Sequence, residues 1–169
     1  SATNPTHAYK TSGTFNAKLY VNNGYCGDTT TRKITIYPAP TAKINATDGC
    51  VNQPISFSDG STISSGVILY RSWNFGDGSG LDSNANPSHT FTKPGSFNVT
   101  ITTVSSKGCF GSVTKAILSD SVPMAKIDSA RKFTNGWTFS SKNTGASYSW
   151  DFGDGITGTG QKIDHLFGS

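Results

Sequence analysis

The chain contains no glutamate. All ten acidic residues are aspartate, set against eleven lysines and three arginines. Glutamate favours helices and aspartate favours turns, so this acidic set argues against long helices. Cysteine and histidine are scarce, at three each. No run of roughly 18 apolar residues occurs, so no helical membrane span is expected. The cationic-then-apolar pattern of a signal peptide is also missing. The chain opens abruptly at SATNPTHAYK, as an excerpt from a longer polypeptide would. The net charge is +4, but the lysines are spread from Lys10 to Lys162. Nucleic-acid binders present a basic stripe interleaved with aromatics, and none is visible, so no nucleic-acid partner is expected. What the chain does have is glycine (19), much serine and threonine, and a hydrophobic fraction of 34%. That composition suits small cores better than one large one.

Internal repeats organise the rest. NPTHAYKTSGTFNAKL at 4–19 matches NPSHTFTKPGSFNVTI at 86–101, with His7 and His89, Gly13 and Gly95, and Phe15 and Phe97 each offset by 82 (89 − 7). AKI recurs at 42–44 and 125–127, ISF at 55–57 answers WTF at 137–139, and HTF at 89–91 answers HLF at 165–167. The longest match is SWNFGDG at 72–78 against SWDFGDG at 149–155. The chain therefore reads as three parts: residues 1–40 end one repeat, 41–122 form a complete repeat, and 123–169 begin another. YPAP (37–40) and SDSVP (119–123) are the joints, short and stiffened by proline.

Within the complete repeat, alternating runs bounded by turn residues predict strands at 41–46, 54–59, 68–75, 96–104 and 112–118. In SFNVTITTV, Phe97, Val99 and Ile101 alternate with Asn98, Thr100 and Thr102, one face buried and one wet. Several short strands in about 80 residues suggest an all-β sandwich with one modest core. Phe15, Phe57, Trp73, Phe97 and Trp150 fall on inward positions, and Tyr25 and Phe110 are left exposed near hairpin tips.

The repeated phrase WNFGDG/WDFGDG carries the candidate chemistry. Trp73 and Trp150 begin it, and Gly76–Asp77–Gly78 and Gly153–Asp154–Gly155 end the strand. Asp151 and Asp154, with Asp77 and Asp82, offer oxygen ligands to calcium, but calcium takes about six or more oxygens and these loops hold few carboxylates. Glycine and aspartate are what tight turns demand, and the turn reading takes precedence. A phosphate cradle would open a helix, and none follows. His7, His89 and His165 occupy one position in three different repeats, so they cannot share a metal ion. No serine sits in a nucleophile elbow, and no acid–base pair stands out. No enzyme and no cofactor other than calcium is indicated.

The strand end W-(N/D)-F-G-D-G, the following N-P-S-H-T-F, and G-S-F-N-V resemble the PKD (polycystic kidney disease) domain across nearly all of 41–122, and both flanking parts fit it. The departure is Asn74, where the family's aspartate is kept at Asp151. The resemblance implies Ig-like β-sandwich repeats in tandem, one complete and two partial, in an extracellular or cell-surface protein. With Cys50 before the second strand and Gly108–Cys109 before the last, it is similar to surface-array repeats of gliding bacteria. In an Ig-like sandwich those two cysteines lie at opposite ends, too far apart to bond. Cys50 is then expected to pair with a following repeat, and Cys109, equivalent to Cys26, with a preceding one. Asp-Ser/Thr-small sequences place candidate O-glycosylation at Thr29, Ser121 and Ser129. The function implied is a rigid spacer in an adhesin, stalk or surface filament. Its partners would be neighbouring repeats, other filament copies or surface glycans. The alternative is an accessory module binding a polysaccharide or protein for a linked secreted enzyme.

Overall fold

The computed structural model describes residues 4–143 and 146–167, and their regular structure is entirely β-strand. The chain divides into two compact units, Ser1–Asp120 and Ser121–Ser169.

Unit 1 starts with a hairpin of β1 (Gly13–Asn22) and β2 (Gly27–Ile36), in unbroken register from Gly13 opposite Ile36 to Asn22 opposite Gly27. Its turn is held by side-chain carbonyls: Asn22 accepts from the Gly24 amide, and Asn23 from the Tyr25 and Cys26 amides. The sandwich follows, built from β3 (Ile44–Asn45), β4 (Gly49–Cys50), β5 (Pro54–Ser56), β6 (Ser58–Asp59), β7 (Ile68–Asn74), β8 (Ser88–Thr90), β9 (Gly95–Ser105) and β10 (Phe110–Asp120). One sheet runs β4-β10-β9-β7; β3 pairs with β6 and β5 with β8.

Side-chain alternation explains why these strands stack. In β9, Val99 and Ile101 point inward and are fully buried. On the outer face Thr100 and Thr114 join hydroxyls at 2.7 Å, and Thr102 and Ser112 at 3.2 Å. Ile44, Ile55, Phe57, Trp73, Phe75, Phe91, Val99, Ile101 and Ile117 form one core, drawn from every layer. Of the aromatics expected inward, Phe57 and Trp73 are buried, whereas Phe15, Phe97 and Trp150 are half-buried.

Two expectations change. The run 54–59 is not one strand; it divides at Phe57 into β5 and β6, which pair with different partners. The run 41–46 shrinks to Ile44–Asn45. β4 and β8, of two and three residues, are too short to show any period in sequence. β4 nevertheless matters, because it pairs in parallel with the end of β10, Cys50 opposite Asp120.

The chain enters this sandwich at one end and leaves at the other. Pro40 is buried, and the segment leading to it lies against the β9–β10 turn. The Cys109 thiol donates to the Tyr37 carbonyl at 3.7 Å, and the Lys107 ammonium lies 5.2 Å from the Tyr37 ring centroid. Gly111 permits this contact, since a Cβ there would meet the Pro40 carbonyl oxygen at 2.0 Å. From Phe110 the chain runs along β10 to Asp120, ten steps of extended strand or roughly 33 Å.

Unit 2 has a sheet of β11 (Ser129–Phe133), β12 (Gly136–Ser140) and β15 (Lys162–His165), in the order β11-β12-β15. A separate pair joins β13 (Ser149–Asp151) and β14 (Thr157–Thr159), with Trp150 opposite Gly158.

Candidate functional site

The site suggested by sequence is the loop that ends β7. Its first hydrogen bond comes from Asn74, whose Oδ1 accepts from the Gly76 amide at 2.9 Å. Gly76 has φ +77°, and a Cβ there would lie 2.6 Å from the Asn98 carbonyl oxygen on β9. Asp77 then uses both carboxylate oxygens. Oδ1 accepts from the Ser79 amide at 3.0 Å and the Ser79 hydroxyl at 2.6 Å, while Oδ2 lies 2.8 Å from His89 Nε2. The His89 ring stacks on Phe75 at 3.9 Å and 4°, and Phe91 meets it edge-on at 4.7 Å. The loop is thus clamped to β8 through an aspartate–histidine bond set on an aromatic platform.

The same constellation recurs in unit 2. Asp151 Oδ1 accepts from the Gly153 amide at 2.9 Å, and Asp154 Oδ2 lies 2.7 Å from His165 Nε2. His165 stacks on Phe152 at 4.0 Å and 3°, with Phe167 edge-on at 4.5 Å. Asn74 and Asp151 make one bond of one length to equivalent glycines. That position needs an acceptor, not a charge, which is why an amide can replace a carboxylate there.

Electrostatics follow from these contacts. Burial raises the Asp77 carboxyl, but the bonds from Ser79 and His89 outweigh it and lower it from 3.8 to about 2. The His165 bond likewise holds Asp154 below the usual range against the smaller effect of burial. A depressed folded value means that the unfolded chain takes up its proton first. The stabilisation from Asp77 is therefore complete above about pH 4 and is lost as pH falls toward about 2. For a partly exposed carboxyl, and after allowance for screening, it amounts to about 1–2 kcal/mol. Urea midpoints across this range should show an advantage of wild type over Asp77→Asn that shrinks steadily as pH drops. A constant advantage would contradict the clamp.

This arrangement suits architecture better than reaction chemistry. Asp77, Phe75 and Phe91 surround His89, and no hydroxyl or thiol bonds to its ring among the described residues. The proposed calcium ligands are not gathered either. Asp82 accepts from the Asn84 amide and pairs through its backbone with Trp73. Among the described residues no three acidic, histidine or cysteine side chains converge.

The remaining candidates are scattered. Cys26, Cys50 and Cys109 are free thiols; the disulfides expected for Cys50 and Cys109 call for cysteines of neighbouring repeats that lie outside residues 1–169. Cys50 lies beside Asp120, whereas Cys109 precedes Phe110, so the full length of β10 separates them. Tyr25 and Phe110 are exposed on different hairpins and neither stacks on another ring, so no flat aromatic row forms among the described residues. Thr29 and Ser121 are exposed, but the Ser129 hydroxyl is part-buried and bonded to Ser140 at 2.7 Å. A glycan on Ser129 would have to break that bond. Sequence reasoning missed the aspartate–histidine clamp. Its signal was the joint recurrence of the pair, Asp77 with His89 and Asp154 with His165, twelve and eleven residues apart. It also missed the ion pair of Arg71 Nε with the buried Asp59 carboxylate at 2.6 Å.

Comparison with known proteins places the sandwich. Collagenase ColA of Bacillus cereus is 39% identical over 61 residues, which is 36% of this chain and 6% of the collagenase. The chain thus spans only a small part of that relative's length. Among solved structures, the PKD1 domain of Vibrio anguillarum Epp is 27% identical with a TM-score of 0.45, covering 50% of this chain and 96% of that domain. The PKD1 domain from the Vibrio cholerae metalloprotease PrtV is 29% identical with a TM-score of 0.45, covering 48% and 98%. Residues 37–118, from the YPAP segment through most of β10, match the sequence model of the PKD domain, and the chain carries a PKD domain there.

Proposed function

We propose that this chain is part of an extracellular array of PKD-type sandwiches acting as a rigid, non-catalytic spacer whose partners are its neighbouring repeats. The reading takes residues 1–40, 41–122 and 123–169 as successive members, with the joints at 37–40 and 119–123. One observation carries it: the chain enters the complete sandwich beside the β9–β10 turn and leaves at Asp120, the far end of β10. A module threaded end to end adds its whole length to a chain, as a stalk, adhesin shaft or surface filament requires. The buried Pro40 and the Tyr37 contacts stiffen the joint ahead of it. No helix among the described residues is long and apolar enough to cross a membrane.

The joint can be tested through the exposed thiols. Spin labels on Cys26 and Cys50, with Cys109 replaced by serine, should report one narrow distance distribution. Gly111→Ala drives a methyl against the Pro40 carbonyl and should broaden that distribution. A broad distribution in the parent chain would defeat the spacer reading.

A second reading has its own support. The identity to a segment of a collagenase favours an accessory module that presents a protein or polysaccharide to a linked secreted enzyme. Co-sedimentation of the chain with insoluble collagen or polysaccharide would favour that reading over the spacer.

A further inference from the structure

The outer face of the β7-β9-β10 sheet presents three side chains abreast at each step. Tyr70 stands opposite Val104, and Val104 opposite Phe110. The next step holds Ser72, Thr102 and Ser112, and the third Asn74, Thr100 and Thr114. Strand alternation turns all of them away from the core. Tyr70 is 67% and Phe110 71% exposed, and Val104 stands between the two rings. No charged side chain occupies this face from the Tyr70 row to Leu118. The charges nearby turn elsewhere: Arg71 bonds Asp59 at 2.6 Å, and the Lys115 ammonium donates to the Ala46 carbonyl at 2.6 Å. The joint leaves the face open. Pro40 meets β10 at Gly111, which points to the side opposite Phe110.

We infer that this face binds a neutral polysaccharide, with sugar rings seated on Tyr70 and Phe110 and sugar hydroxyls set against the serine and threonine rows. The inference rests on the second functional reading, the accessory module, and narrows it to one class of ligand on one surface.

A sugar ring has an apolar face of C–H groups, drawn to the electron-rich face of an aromatic ring, and a rim of hydroxyls that need partners. This surface supplies both. Tyr70 and Phe110 stand two strand spacings apart, roughly 10 Å, the scale of two linked sugar rings. Beside them Thr100 and Thr114 share one hydrogen bond at 2.7 Å, and Thr102 and Ser112 share another at 3.2 Å. A hydroxyl has one donor and two acceptor sites, so the Thr100–Thr114 pair keeps a donor for a ligand. Ser112 gives its own to the Ile101 carbonyl at 3.1 Å, leaving the second pair as acceptors. Charge then selects among polymers. An acidic polysaccharide would lose hydration from its carboxylates here and find no cation in return. Protein partners draw their affinity from anchors in desolvated apolar pockets, whereas two of these three rows are hydroxyl and amide.

Depletion of the 169-residue chain from solution by insoluble cellulose, mannan and β-1,3-glucan tests this, with alginate beads as the acidic comparison and insoluble collagen as the protein one. The expected result is binding to a neutral polymer that persists in roughly 1 M salt, where charge attraction is screened. Tyr70→Ala and Phe110→Ala should each lower the affinity by about tenfold, and both should fold as wild type because neither ring is buried. Tyr70→Phe keeps the ring and should keep the affinity. Tyr25→Ala removes a ring that is 97% exposed on another hairpin, and should bind as the parent chain does. Neutral-polymer binding that survives both alanine substitutions overturns the proposed face while leaving the accessory-module reading intact. Binding to alginate alone, lost in salt, overturns it as attraction to a basic chain. Binding to collagen and no polysaccharide overturns it and leaves only the protein arm of that reading. Binding to none of these polymers removes the inference and the accessory reading together.

Discussion

Trp73→Ala should cost the unit 1 sandwich about 3–5 kcal/mol, the range for emptying a fully buried large aromatic site. Trp73 is wholly excluded from solvent and packs against Phe57 at 5.9 Å and Phe75 at 6.5 Å. Its indole N–H donates to the Asn84 carbonyl at 2.9 Å, so truncation also strands that acceptor. A domain of this size has a total stability of roughly 4–12 kcal/mol, and a loss on this scale leaves little of it. Melting followed by near-ultraviolet circular dichroism should show a midpoint lowered by about 15–30 °C, or no cooperative transition at all. Trp150→Ala provides the control. Its ring has the same neighbours, Phe139 at 5.9 Å and Phe152 at 6.5 Å, but remains half-exposed. The loss there should be about 1–3 kcal/mol, confined to unit 2. Equal losses at the two sites would mean that the shared motif, not the depth at which its tryptophan is buried, sets the stability.

That contrast bears on what the sequence could disclose. Strand β9 was legible because eleven residues display a full alternation and its outer threonines have partners across the strand. The kink at Phe57 was not, since an inward aromatic continues the apolar pattern while the backbone changes partners. Parallel pairing of Cys50 with Asp120 joins positions about 70 residues apart through a two-residue strand, and no local period records it. The repeated loop was legible in half of its chemistry. Aspartate between glycines announces a turn, and Oδ1 of Asp77 serves one. The other oxygen serves His89, on a strand of three residues that composition alone does not reveal. Reading the aspartates and histidines separately, as metal or catalytic candidates, concealed that they are partners of each other.

The pairing also explains why this loop is so glycine-dependent, and here the second large effect is expected. Gly76→Ala should destabilise unit 1 by about 2–4 kcal/mol, combining the penalty of left-handed backbone with a clash against a neighbouring strand. The two contributions can be separated within the same six residues. Gly76 has φ +77° and would press a Cβ to 2.6 Å from the Asn98 carbonyl oxygen; Gly78 has φ +84° and nothing within 4 Å. Gly78→Ala should therefore show the conformational penalty alone, about 1–2 kcal/mol. The clash is with β-sheet backbone, not a mobile side-chain end, so relief requires moving the loop off β9. That movement pulls Asp77 away from His89. Gly76→Ala should accordingly lose much of the acid-sensitive difference from Asp77→Asn, whereas Gly78→Ala should keep it. Urea midpoints for the four proteins at neutral pH and near pH 2 decide the matter. If Gly76→Ala and Gly78→Ala cost the same and titrate alike, close approach to β9 is not what positions the aspartate.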